Sequence, residues 1–173
     1  DLPKGYQITQ DKTPICTEGT LLIKVDGKEK QIGIERIHME EDAGKSTHDL
    51  DPYNTLIDLN RAGVPLIEIV SKPDLRSAEE AYQYLSEVRK LVRYLDICDG
   101  NMEEGSLRCD ANISIRPVGE TKLGTKVEVK NLNSIRNVKR AIDAEVVRQT
   151  AMAIKGEKII QETRGYNADT NTT

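Results

Sequence analysis

Phenylalanine and tryptophan are missing from this 173-residue chain, and six tyrosines are its only aromatics. Leu, Ile and Val must therefore fill the core. A supply this lean is expected to leave apolar surface that is covered by other segments or partners. Cysteine is scarce: Cys16, Cys98 and Cys109 are odd in number, far apart and without a Cys-x-x-Cys spacing. That excludes a disulfide framework and a zinc ribbon, and fits reduced thiols in the cytoplasm. The two histidines, His38 and His48, lack a helical metal spacing, which argues against a zinc site. His38 shares parity with Ile34 and Arg36 and reads as a satisfied structural histidine. No run approaches the ~18 apolar residues of a membrane span, and no signal peptide is visible. The chain begins at Asp1 without methionine and ends in a polar tail, so it reads as a fragment of one domain, residues 1–173. Basic excess is also absent, with a net charge of −4. An electrostatic nucleic-acid binder is basic, so any contact with RNA or ATP is expected to be local, with a cation bridging to the acids.

What is present is strand pattern with hairpin signals. Thr20 to Val25 alternates and runs into Asp26-Gly27, a tight hairpin turn. On the return strand Ile32 and Ile34 share one parity, while Ile37 and Met39 share the other, which predicts a bulge or two buried faces. Residues 42–55 are polar and turn-rich and read as a loop. Val64 to Val70 reads as a buried strand between turn residues. Ser77 and Glu80 form a capping box for a helix whose face is Ala81, Tyr84, Leu85, Val88, Leu91, Val92 and Leu95, stopping before Asp99-Gly100. Ser106 to Arg116 and Thr125 to Lys130 read as a strand pair. Asn133 or Ser134 caps a second helix with Ile135, Val138, Ile142 and Val146 on one face, ended by Gly156. Lys158 to Gln161 reads as a last strand. Strands outnumber helices and the connections are of hairpin type, so the fold class is α+β with a largely antiparallel sheet.

The chemically pointed residues are carboxylates inside these strand patterns. Glu68 shares a face with Leu66 and Val70, where an isolated carboxylate costs several kcal/mol and needs a cation, a pair or a proton. Glu41 ends the Ile37, Met39, Glu41 face beside a loop. Asp110 lies on the face Arg108, Asp110, Asn112, Ser114, Arg116, opposite Leu107, Cys109, Ala111, Ile113, Ile115. That strand has one packed face and one face for chemistry. Glu128 lies with Lys126 and Lys130. Acids converging from several strands suit a Mg²⁺ that handles a polyphosphate. The alternative is pairing with Arg108, Arg116 or Lys130, and the runs Glu103-Glu104 and Glu40-Glu41-Asp42 read as solvated. Ala43-Gly44-Lys45-Ser46 resembles the end of a P-loop, but Met39 stands where the first glycine is required.

Longer strings go further. Arg36 to Asp49 (RIHMEEDAGKSTHD), Asn60 to Val70 (NRAGVPLIEIV), Met102 to Ser114 (MEEGSLRCDANIS), Gly124 to Ser134 (GTKVEVKNLNS) and Gln161 to Gly165 (QETRG) resemble the B subunits of the tRNA-dependent aspartyl/glutamyl amidotransferases. The resemblance runs from about Tyr6 to Arg164. It implies the central part of a glutamine synthetase-like catalytic domain, the cradle. It also implies a glutamine-using carbon–nitrogen ligase. In that chemistry ATP phosphorylates the side-chain carboxylate of Glu-tRNA(Gln) or Asp-tRNA(Asn), and ammonia then displaces phosphate. The ammonia comes from the A-type amidase subunit, and a small C-type subunit completes the complex. The resemblance carries Glu41, Glu68, Asp110 and Glu128 over as Mg²⁺ ligands, Arg108 and Lys130 as charge stabilisers and Asn112 as a nucleotide contact. Lys72 and Ile135 depart from the family pattern at peripheral places. The family has an upstream Glu-x-His segment and downstream helical and tail domains that are not in this chain, so the piece by itself is expected to have little activity. Two other readings stay open: the archaeal E-type subunit, which acts on Glu-tRNA, and a non-catalytic tRNA-binding scaffold.

Overall fold

The computed structural model describes residues 5–173. They group into two compact units, residues 5–21 with 31–74, and residues 22–30 with 75–173.

The larger sheet, most of which lies in the first unit while residues 22–30 count with the second, is built on a long strand. β1 (Ile8–Thr9), β2 (Cys16–Val25) and β6 (Pro65–Ser71) all pair with β3 (Lys28–Glu41) in a four-stranded sheet, and β4 (Lys45–Thr47) pairs with β5 (Leu56–Asp58). The β2–β3 turn is the one the sequence predicts: Asp26 and Gly27 both have positive φ, 50° and 78°. This is the primed geometry that matches strand twist. The change of parity along β3 is a bulge. Ile34 opposes Ser71 and Arg36 opposes Val70, which leaves Glu35 as the extra residue. The polar stretch 42–55 is not all loop, because Lys45–Thr47 finds an antiparallel partner in Leu56–Asp58. Local composition gave no sign of that partner.

The second unit packs two helices together and α2 onto a small sheet. α1 (Ala78–Tyr94) starts at Ser77, whose hydroxyl accepts from Glu80 N–H. The Glu80 carboxylate reaches back to Arg76 N–H at 2.6 Å and pairs with Lys30 at 2.7 Å. The helix stops sooner than expected, because Asp96 adopts a left-handed φ of 56° and Ile97 N–H closes on Val92 C=O. Leu91 and Leu95 are consequently half exposed, while Ala81, Tyr84, Leu85, Val88 and Val92 are buried. α2 (Ile135–Ile154) is capped by Ser134 and ends before Gly156.

The inward face of α2 differs from the apolar stripe read in the sequence. Val138, Ala141, Glu145 and Gln149 are buried, while Val146 is 38% exposed. Glu145 is tolerated inside because every lone-pair direction is used. Oε1 accepts from Gln149 Nε2 and an Arg148 Nη at 2.7 Å each, and Oε2 accepts from Arg148 Nε at 2.8 Å and Thr173 Oγ1 at 2.6 Å. Gln149 Nε2 also donates to Ile113 C=O. Hydrophobicity by itself cannot place such a network.

The small sheet runs β7 (Ala111–Ile113), β8 (Val127–Lys130), β9 (Thr163–Gly165). β7 is shorter than the alternation suggests, because β8 supplies a ladder only for residues 111–113. Upstream, the chain folds into turns on Asn101, whose side chain accepts from Glu103 N–H and whose carbonyl accepts from Ser106 N–H. The last strand is Thr163–Gly165 rather than Lys158–Gln161, and it pairs parallel to β8. The sheets are otherwise antiparallel in the pairs described, so the class is mixed α and β with antiparallel sheets and two helices. No helix among the described residues is long and apolar enough to cross a membrane.

Gly124 leads into β8 under tight constraint. A Cβ there would lie 2.1 Å from the Ile115 carbonyl oxygen. Gly124→Ala is expected to destabilise the second unit by about 1–3 kcal/mol through forced backbone displacement, read as a lowered urea midpoint.

Candidate functional site

Two clusters of polar side chains stand on these sheets, one in each unit. In the first unit the β3–β6 register places His38 opposite Glu68, so their side chains share a face with Glu40, two residues along from His38. His38 Nε2 lies 3.3 Å from Glu40 Oε1 and 3.6 Å from Glu68 Oε2. The three ligand-type atoms fall within 4.8 Å of one another. The Glu40 carboxylate also accepts from Gln7 Nε2. The side chains of His38, Glu40 and Glu68 are 2%, 14% and 51% exposed.

Glu68 is thus not the sunken carboxylate that its neighbours Leu66 and Val70 suggest. β6 pairs only with β3 among the described strands, and an edge strand leaves a glutamate room to reach water. Glu41 is opposite Pro65 and Ile8 at the end of β3. Regular alternation sends it to the face away from Glu40 and Glu68. The chain turns directly after it, where Asp42 N–H bonds Val64 C=O and the Asp42 carboxylate holds Arg61 at 2.8 Å.

In the second unit the three-stranded sheet keeps Ile113, Val127 and Val129 buried on one face. The other face carries a polar row. Asn112 pairs with Glu128, and Glu128 with Thr163. Thr163 Oγ1 donates to Glu128 Oε2 at 2.8 Å. Lys130 Nζ donates to Asp110 Oδ2 at 2.7 Å and lies 3.6 Å from Glu128 Oε1. The hydrogen bond to Asp110 outweighs desolvation and, with the field of Asp110 and Glu128, raises the Lys130 pKa, so its ammonium persists across the ordinary pH range. Arg108 is exposed just upstream of β7. The one-packed, one-polar division expected for Asp110, Asn112 and their neighbours is present even where the ladder has ended. Cys109, between Arg108 and Asp110, has its thiol pushed up to about 12 by burial and then by the Asp110 charge. It remains a protonated, unreactive thiol.

The candidate residues therefore fall into two groups. Glu41 and Glu68 belong to the first unit. Arg108, Asp110, Asn112, Glu128 and Lys130 belong to the second. Sequence reasoning set aside Glu40 as part of a solvated run, read His38 as structural and passed over Thr163. The available signal was the His38-x-Glu40 spacing on a strand. Its weight depends on a register with Glu68 across thirty residues of chain.

Comparison with known proteins defines the class. Residues 1–173 match the family described as the GatB/GatE catalytic domain, and the chain belongs to that family. Among curated proteins it is 59% identical over 173 residues to the B subunit of the aspartyl/glutamyl-tRNA(Asn/Gln) amidotransferase of Oleidesulfovibrio alaskensis, and 59% to that of Solidesulfovibrio magneticus. It is 57% identical over 173 residues to that of Bdellovibrio bacteriovorus. In each case all of this chain is covered, and 36% of the relative's length.

Proposed function

We propose that this chain is the phosphorylating and amidating part of a cytoplasmic tRNA-dependent amidotransferase, with a glutamine synthetase-like fold. It would work with the amidase (A-type) and small (C-type) subunits on Glu-tRNA(Gln), Asp-tRNA(Asn) or both. The observation that carries the reading is the match of every residue to the GatB/GatE catalytic domain. A carboxylate is a poor electrophile. Its oxygen attacks the γ-phosphorus of ATP, ADP leaves, and an acyl phosphate results. Ammonia then attacks the acyl carbon and phosphate departs, leaving the amide.

The two clusters suit these steps unequally. Glu40 and Glu68 offer hard oxygens beside one another, which fits Mg²⁺. At Asp110 and Glu128 the Lys130 ammonium already supplies positive charge. The proposed Mg²⁺ ligands are Glu68 within the first unit and Asp110 and Glu128 within the second; Glu41, which alternation turns to the other face of β3, is proposed as a ligand on the family resemblance alone. The bound ion would draw charge off the phosphates during transfer. Lys130 and Arg108 steady anionic oxygens, and Asn112 contacts the nucleotide.

A second reading, a tRNA-binding scaffold, has one observation in its favour: Lys130 already pairs with both Asp110 and Glu128. Asp110→Asn and Glu128→Gln in the full-length protein, assembled with its partners and given ATP, Mg²⁺, ammonia and Glu-tRNA, separate the two. The catalytic reading expects a loss of about 10²-fold in each with tRNA binding retained. Wild-type rates in both would favour the scaffold.

A further inference from the structure

His38 is 2% exposed and, among the described residues, has a hydrogen-bond partner at only one of its two ring nitrogens. Nε2 faces Glu40 Oε1 at 3.3 Å and Glu68 Oε2 at 3.6 Å. Nδ1 is buried, with no hydrogen-bond partner among the described residues. A neutral imidazole carries one N–H, on one nitrogen or the other. On Nδ1 it would be a buried, unpaired donor, and the Nε2 lone pair would point at two carboxylates. Both arrangements are unfavourable. On Nε2 the same proton is donated to Glu40 Oε1, with Glu68 Oε2 nearby, and Nδ1 is left as a bare acceptor. The same asymmetry weighs against ligation of a metal by His38. A histidine that binds a metal through one nitrogen almost always donates its other N–H to a carboxylate, a carbonyl or water, whereas the buried Nδ1 has no hydrogen-bond partner among the described residues.

We propose that His38 is a positioning residue whose Nε2–H, bonded to Glu40 and facing the Glu68 carboxylate at 3.6 Å, orients Glu68 electrostatically across the β3–β6 ladder. The inference rests on the reading that Glu68 serves the Mg²⁺- and ATP-dependent step. Glu68 needs such a restraint because half of its side chain is exposed on an edge strand, where a glutamate otherwise samples several rotamers. His38, held in the sheet, is the rigid member. Glu40, 14% exposed and tied to Gln7, is the second arm.

The test uses the full-length protein in its complex, with ammonia as nitrogen donor and Mg²⁺ varied. His38→Leu removes the donor and is expected to raise the half-saturating Mg²⁺ concentration about tenfold or more, while kcat at saturating Mg²⁺ falls far less. His38→Gln places an amide N–H near the former Nε2 and is expected to restore Mg²⁺ dependence to within about threefold of wild type. A purely structural role would depress yield and thermal stability in both variants and leave the Mg²⁺ dependence unmoved, which overturns the proposal. So does a His38→Gln variant as impaired as His38→Leu. Glu68→Gln separates the two layers. If it shifts the Mg²⁺ dependence while His38→Leu does not, only the role of His38 fails. If Glu68→Gln shifts nothing, the underlying reading of Glu68 fails with it. A readout independent of activity and of folding variants is the tautomer of His38 in the ¹⁵N-histidine-labelled protein, assigned from two-bond ¹⁵N–¹H correlations. The Nε2–H form is expected, and the Nδ1–H form overturns the inference.

Discussion

Replacing Glu68 by glutamine in the full-length protein is expected to lower kcat/KM for ammonia-dependent amidation by about 10²–10³-fold, equivalent to about 3–4 kcal/mol of transition-state stabilisation. Glutamine keeps the length and shape of the side chain and removes its charge. A neutral amide oxygen is a far weaker partner than a carboxylate for a hard divalent ion. The change should cost folding almost nothing. Glu68 is half exposed and sits opposite His38 on an edge strand, and substitutions in such places usually stay within about ±0.5 kcal/mol. On the proposed function, steady-state kinetics with ammonia bypass the amidase partner and isolate this step, and thermal unfolding of the same preparations checks the fold. A rate within about threefold of wild type would remove Glu68 from the chemistry.

The second large effect is structural. Glu145→Ala is expected to destabilise the second unit by about 3–5 kcal/mol. The cost does not come from losing a favourable ion pair. It comes from what stays behind: the Arg148 side chain, 24% exposed and left with Glu162 at 3.7 Å, Gln149 with only its bond to the Ile113 carbonyl, and the Thr173 hydroxyl without this acceptor. Replacing both members, Glu145→Leu with Arg148→Met, removes the charges together and should recover much of the loss. Amide hydrogen exchange in α2 measures both. The pH response follows from the same bonds. Burial raises the Glu145 pKa, but donation from Arg148, Thr173 and Gln149 prevails, and its carboxyl lies below the ordinary glutamate value of 4.5. A depressed folded-state pKa means the contribution is complete above about pH 4.5 and is lost as pH falls through the folded value. The acid limb of the stability curve should therefore flatten in the double variant.

Much of the scaffold is written locally in the chain. The Asp26-Gly27 turn, the caps at Ser77 and Ser134, the bulge in β3 and the strand at Pro65–Ser71 each follow from a few adjacent residues whose preferences agree. What escaped the sequence depends on distant partners. Glu145 and Gln149 face inward because Arg148, Thr173 and the Ile113 carbonyl meet them there, and no apolar period encodes that. Glu68 looked sunken because Leu66 and Val70 flank it, yet an edge position frees it. The pairing of His38 with Glu68 needed a register that the extra residue Glu35 displaces by one, enough to exchange the faces of every residue beyond it. The family resemblance came from whole strings of residues, and physical patterning by itself would have stopped at an α+β domain with acids on its strands.

The parallel pairing of β8 with β9 sets an order of assembly. Asp110 and Lys130 are brought together by an antiparallel pair whose strands lie close in sequence. Glu128 acquires Thr163 only after the whole of α2 has been traversed, because a parallel neighbour requires a long crossover. On a translating ribosome the polar row would stay two strands wide until residue 165 has cleared the exit tunnel. The last member of that row to arrive is Thr163, whose hydroxyl steadies the Glu128 carboxylate.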